Sequence, residues 1–505
     1  MRNLALDTLD TPMASVGSDP VWQVARSVHW RNVSVWRLER MKAEAERIAR
    51  LQGRPDQPSR AVWQRALRPV AFGLTTLAAL VFLIFYLALS RWRAAPQDLP
   101  AGAQRLIAVH GEWATRTRHL LTAAPTSHPP IGAILLLGRQ SHSPGEISTL
   151  FATHVPSLAD VPVLAPVSLR AAGAALRDLP RLLADGLHEL LAAPRMLDLR
   201  EETALAFRVC LGAIQARWWR QQGRRASGAE VLFGCTGTAD TTLMEKAIQQ
   251  TGGRTVHIVH GQATGPSFAG ISDHALFKSS YDAAAYRQLH CYGDCSVQRA
   301  APPEPGPRGR QILLMSNLAH PMNDGFRRHG LRDELNLLAC VSRAAGLLHL
   351  PETQLVWKPH PVTYTLNKAL LDRLRAAAEA YGFTELPPDT PLAEASREAR
   401  WVLCSPSTVA TELLQIGTLA IVLDPQRSVG SSAVSALPLL TTLQPEALAA
   451  LMAALDRPEV YEARFRAVHA ILEPASPLDL TQPLTRDKAR SAPDARPDRE
   501  GNHAG

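Results

Sequence analysis

Two prolines frame His360 in the stretch Leu355-Val-Trp-Lys-Pro-His-Pro361. Proline has no N–H to give a sheet ladder, so the apolar run before it reads as a strand that must end there. That leaves Lys358 and His360 at the carboxyl end of a strand, where open α/β sheets bind ligands. A second stretch, Cys404-Ser-Pro-Ser-Thr-Val-Ala-Thr-Glu412, follows the apolar run Trp401–Cys404 and turns into a helix. Ser405 suits an N-cap and Pro406 the first helical position. The amides and hydroxyls of Ser407 and Thr408 then sit at the positive end of a helix dipole, a cradle for phosphate. Glu412, four residues after Thr408, shares that helix face. A histidine at one strand tip and a hydroxylated helix start at another read as a nucleotide-phosphate site.

Around these stretches the chain alternates short apolar runs with helical ones. Ile131–Gly138 reads as the first sheet strand, and Pro96–Pro130 as a linker with a helical piece around His110–Leu121. Weak strand Val161–Leu164, helices 171–193 and 201–222, strand Glu230–Gly234, helix 239–250 and strand Thr255–Val259 follow, the last ending in His260-Gly261. Pro302-Pro-Glu-Pro-Gly-Pro-Arg-Gly309 is the clearest boundary, and strand Gln311–Met315 opens a second series. Such alternation implies parallel sheets with right-handed crossovers. The 505 residues, 46% of them hydrophobic, suffice for two folded domains with appendages. The expected architecture is α/β: Rossmann-like domains at 96–301 and 309–473 facing a cleft. A helical or mobile segment (1–68, with a helix in Trp22–Leu51) precedes them, and a polar, disordered tail (474–505) follows.

Pro69–Ser90 carries no charge, and about 20 apolar residues suffice to cross a bilayer. Residues 69–90 are therefore expected to form a transmembrane or membrane-embedded helix. The charge of +8 is mild for this length, and no arginine–aromatic pattern points to nucleic acid. The six cysteines are scattered through apolar runs and read as reduced, buried thiols. No Asp-x-Asp triplet is present to hold a divalent ion, and no metal site or cofactor is expected.

The Lys-Pro-His-Pro tip, the Ser-x-Ser-Thr helix start and the strand end Val256-His-Ile-Val-His-Gly261 resemble the paired motifs of bacterial surface-polysaccharide transferases with the GT-B fold. These are the capsule polysialyltransferases and, more distantly, the CDP-glycerol glycerophosphotransferases. The resemblance implies a membrane-attached, metal-independent transferase at a bacterial inner membrane, with its catalytic domain on the cytoplasmic side, whereas the denser basic residues before the 69–90 run would by the positive-inside tendency put that domain outside. Its donor would be a CMP-sugar or CDP-polyol and its acceptor a polysaccharide or glycolipid. It also implies roles: His360 contacts the donor phosphate or protonates the leaving group, His260 acts in acid/base chemistry, and Glu412 lies against the donor ribose. Lys358, Ser405, Ser407 and Thr408 complete the donor site. The polysialyltransferases carry an acidic pair before glycine in the N-terminal half as general base, and Asn323-Asp324-Gly325 of this chain lies in the C-terminal half. Here Asp185-Gly186 falls in a helical pattern, so His142 and Glu146 in the first loop are the fallback. His257 reads as a packed strand histidine. The alternative to an enzyme is a non-catalytic membrane scaffold partnering a polymerase or exporter.

Overall fold

The computed structural model describes residues 34–37, 68–89, 98–110, 118–138, 144–192, 199–259, 270–289, 291–298, 303–306, 308–316, 331–349, 353–360, 363–364, 368–388, 390–425, 436–472, 478 and 480. Helix α1 (Arg68–Leu89) precedes a first sheet. Its strands are β1 (Arg105–His110), β2 (Ile131–Leu137), β3 (Val163–Leu164), β4 (Glu230–Phe233), β5 (Arg254–Ile258), β6 (His274–Phe277) and β7 (Cys295–Val297). The order is β3-β2-β1-β4-β5-β6-β7, and every neighbouring pair is parallel. Helices α2 (Arg118–Ala123), α3 (Pro144–His154), α4 (Leu169–Ala192), α5 (Leu199–Gln222), α6 (Ala239–Gln250) and α7 (Ser280–Arg287) belong to this half.

The second sheet runs β10-β9-β8-β11-β12-β13, again all parallel. Its strands are β8 (Gln311–Ser316), β9 (Gln354–Pro359), β10 (Phe383–Glu385), β11 (Ala399–Cys404), β12 (Ala420–Leu423) and β13 (Leu439–Leu440). Helices α8 (Leu331–Leu347), α9 (Lys368–Ala380), α10 (Leu392–Arg397), α11 (Val409–Gln415), α12 (Pro445–Asp456) and α13 (Pro458–Leu472) alternate with them or close the chain. The strands read as near-continuous apolar runs because helices cover both faces.

Three expectations are corrected. First, Arg105–His110 is not linker or helix but strand β1, buried along its whole length at the centre of the first sheet. A run of four apolar residues, Leu106–Val109, carries no periodicity to separate strand from helix.

Second, the uncharged run does form a helix, but among the described residues no helix is long and apolar enough to cross a membrane. Helix α1 packs along α5 and α4 with Phe72, Thr75, Thr76, Ala79 and Leu83 buried. The two threonine hydroxyls return to the Phe72 carbonyl at 3.0 and 2.8 Å, so the inward face keeps no stranded polar group. Trp36 meets Phe72 edge-on, ring centroids 5.3 Å apart, and its Nε1 donates to the Leu182 carbonyl at 2.8 Å. Gly186 is small for this reason: a Cβ there would lie 2.7 Å from both Phe72 and Trp36.

Third, Leu480, in the stretch expected to be disordered, is fully buried in the core beneath β1 and β2. Its carbonyl accepts from Arg105 Nη1 at 3.1 Å and from the His128 amide at 3.3 Å. The chain therefore returns from the second half to the first. The two halves also share a core, since Phe277, Tyr281, Tyr286 and Cys291 pack in one cluster with Leu313, Trp357, Leu403 and Phe465.

Candidate functional site

Each sheet reverses its strand order once: between β1 and β4 in the first, and between β8 and β11 in the second. Ligands of open α/β sheets bind outside the carboxyl ends of the strands at such a switch point, where the flanking loops diverge and leave a crevice.

The second switch point carries residues singled out by sequence. His360 directly follows β9. Its backbone amide donates to the Ser316 carbonyl at 2.8 Å, which fixes the tip against the end of β8, and its side chain is exposed. Ser316, the last residue of β8, is buried; its Oγ donates to the Glu334 carboxylate and accepts from Trp357 Nε1 at 2.8 Å. Ser405 is buried with its amide on the Met315 carbonyl at 3.0 Å. Pro406 is buried as well, while Ser407 and Thr408 are half-buried.

Here the local reading is corrected. The helix begins at Val409, three residues later than expected, with Thr408 as the capping residue and no side-chain cap. The approach is a tight turn in which the Ala410 amide reaches back only to Ser407 and that of Thr411 to Thr408. Lys358 turns onto the carbonyls of Pro387 and Pro388, at 3.4 and 3.0 Å, on the β10 side of the tip.

Glu412 does lie one turn from Thr408, its amide donating to that carbonyl at 3.0 Å. Its carboxylate is held by Lys278 Nζ at 2.8 Å. Lys278 is the residue immediately after β6. The pair thus joins the carboxyl edge of the first sheet to a helix at the carboxyl edge of the second.

The first switch point carries residues that sequence reasoning did not select. His110 ends β1, and its Nε2 lies 2.9 Å from Oδ2 of Asp240, the second residue of α6. His110 is 2% exposed and Asp240 fully buried. Thr238 Oγ1 donates to the other carboxylate oxygen at 2.6 Å. Burial pushes the Asp240 carboxyl up. The charge and hydrogen bond of His110, with Arg208 and Thr238, outweigh it and hold the group at about 2, below its ordinary 3.8. Gly138, the residue after β2, has φ +71°, and a Cβ there would run into the His110 ring and Asp240. The glycine is thus required both by its backbone conformation and by the pair. The available signal was His110-Gly111, a second strand-ending His-Gly besides His260-Gly261.

His260 and His142 lie outside the described residues. Glu146 is exposed in the first turn of α3. His257 is buried with Nδ1 2.7 Å from the Tyr292 hydroxyl, a packed strand histidine. Among the described residues no group of three His, Cys, Asp or Glu side chains is placed to hold a metal ion.

No protein-family model matches the chain, and no curated protein matches it. Among solved structures it is similar to a UDP-N-acetylglucosamine 2-epimerase, with 12% identity over 72% of this chain and 90% of that one and a TM-score of 0.41. It is similar to MurG of Acinetobacter baumannii, with 12% identity, coverage of 75% and 97%, and a TM-score of 0.43. A glycosyltransferase of Rickettsia africae matches at 10% identity, coverage of 74% and 94%, and a TM-score of 0.41. Likenesses at this level assign no activity to this chain.

Proposed function

We propose that the chain is a GT-B-like glycosyltransferase, attached to a membrane, that moves a sugar or polyol phosphate from a nucleotide-activated donor to a surface polysaccharide or glycolipid acceptor. The observation that carries the reading is the Lys278–Glu412 pair, which brings the carboxyl edges of two parallel sheets together. Each edge has a switch point lined by groups suited to one half of a transfer. Donor phosphate belongs at the second, against His360, Ser407 and Thr408, with the exposed His360 ring, as the imidazolium, neutralising or protonating the departing phosphate. Acceptor activation belongs at the first. There His110 takes the hydroxyl proton as that oxygen bonds to the transferred group. The donor bond breaks with its electron pair on the nucleotide phosphate, and the Asp240 carboxylate stabilises the resulting imidazolium. His260, which resembles the acid/base histidine of the glycerophosphotransferases, is the other candidate for that role. The cytidine donor (CMP-sugar or CDP-polyol), the capsule acceptor and metal independence rest on the motif resemblance alone.

The burial of His110 favours a second reading. In it the His110–Asp240 pair is a structural tie and the chain a non-catalytic scaffold beside a polymerase or exporter. Thermal melting of the protein with CMP, CDP, UMP and UDP, with and without EDTA, separates the two. The enzyme reading expects stabilisation by cytidine nucleotides that survives EDTA. Tighter uridine binding removes the cytidine assignment, and no shift with any nucleotide favours the scaffold.

A further inference from the structure

We propose that the outward face of α1, with the adjoining leucine edge of α4, docks onto a membrane surface bearing anionic headgroups, on which the protein lies without crossing it. The proposal rests on the membrane-attachment part of the reading above and not on its chemistry.

Among the positions of α1 whose side chains are described, the exposed ones are Pro69, Val70, Gly73, Leu74, Leu77, Ala78 and Val81. Their spacings of three, four and seven place them on one side of the helix, and all are apolar. Val70, Leu77 and Val81 are 58% exposed and Leu74 is 63% exposed. Single exposed leucines are ordinary, but a continuous apolar helix face in water is not. A surface helix is normally polar on its outward side, and one that is apolar all round is covered all round. Among the described residues, protein covers the inward face of α1 through Trp36, α4 and α5.

Helix α4 indicates what covers the other face. Its buried side is Ala171, Ala175, Gly186 and Leu190. At 100° per residue its exposed side divides in two. Leu176 and Leu191, 50% and 62% exposed, stand on one edge. Leu183 and Leu187, which lie toward that same edge, pack with Leu182 and Leu190 in the cluster of Phe72 and Ala79. Exposed Arg170, Arg177 and Arg181 stand beyond it, at spacings of seven and four. Of the nearest carboxylates, Asp178 is neutralised by Arg217, while Asp185 is exposed and Glu189 half-buried at the far margin. An apolar face flanked by arginines is the pattern of helices that lie in the bilayer interface: side chains enter the acyl boundary while guanidinium groups meet lipid phosphates. The net charge of +8 acts in the same direction.

The test is co-sedimentation of the full chain with phosphatidylcholine vesicles, with and without phosphatidylglycerol. Binding should be stronger to the anionic vesicles, weaken in salt, and be released by alkaline carbonate without detergent. Leu74→Glu with Leu77→Glu should lower vesicle binding at least tenfold with an unchanged melting temperature, because neither side chain is in the core. Arg177→Glu with Arg181→Glu should abolish the preference for phosphatidylglycerol. Failure to sediment with either vesicle overturns the proposal. So does unchanged binding of the double-glutamate variant, or conversion of a dimer to a monomer by that variant with vesicle binding intact, which would mean a second copy covers the face. Resistance to carbonate extraction overturns the peripheral placement. Nucleotide-dependent melting, read on the same preparations, reports separately on the transfer chemistry.

Discussion

His110 and Asp240 are 130 residues apart in sequence, yet Nε2 of one lies 2.9 Å from Oδ2 of the other, buried where the first sheet reverses its strand order. Removing one member of such a pair leaves the other desolvated and uncompensated, which costs about 3–5 kcal/mol. Asp240→Asn is expected to destabilise the protein by that amount in urea unfolding at pH 7. A double-mutant cycle with His110→Gln should show strong coupling. If His110 is the base, His110→Gln should also lower turnover by more than the loss of folded protein explains.

The same pair sets an acid dependence. The Asp240 carboxyl titrates at about 2 in the folded chain against 3.8 ordinarily, so its contribution is fully present above about pH 4 and lost as pH falls through 2. Wild-type protein should lose on the order of 2 kcal/mol over that window that Asp240→Asn does not lose. Equal acid sensitivity of the two proteins would mean that Asp240 is not held ionised.

Gly138→Ala places a methyl group against the His110 ring at a backbone φ of +71°. Left-handed strain and overpacking each cost roughly 1–3 kcal/mol, so a clear drop in melting temperature is expected. Gly145→Ala, in helix α3 with nothing within 4 Å, serves as the control that does not lose stability.

His360→Ala should leave stability unchanged, because the side chain is exposed, while cutting turnover by roughly two to four orders of magnitude. Ser407→Ala with Thr408→Val should weaken nucleotide binding by about 1–3 kcal/mol. It should not disturb α11, since Thr408 makes no side-chain cap that could be lost. Near wild-type turnover and binding in these variants would remove the three residues from the donor site.

Leu480→Ala should cost about 2–4 kcal/mol in chemical denaturation, as for a fully buried core leucine. A solvated tail residue would cost nothing, so this variant measures how far the C-terminal return to the first half matters.

The alternation of strand and helix was legible because each element carries its own local signal. The prolines around His360 stop a strand, Pro302–Gly309 falls between β7 and β8, and Thr408 and Glu412 share a helix face. Those signals are short-range, and they suffice for the α/β class and for the second switch point. Where the helix before Glu412 begins was read three residues early, because a serine and a proline suit a cap without compelling one. Strand β1 was missed because a fully buried strand in a parallel sheet has no polar face to mark its period. Only the tertiary structure decided the pairings that span the chain: His110 with Asp240, Lys278 with Glu412, and Arg105 with the Leu480 carbonyl. It also decided that the apolar helix Arg68–Leu89 keeps one face in the protein and, among its described positions, turns the other outward. Composition reports how apolar a segment is. Which side of it meets protein depends on shapes brought together from distant parts of the chain, such as the gap that Gly186 leaves for Trp36 and Phe72.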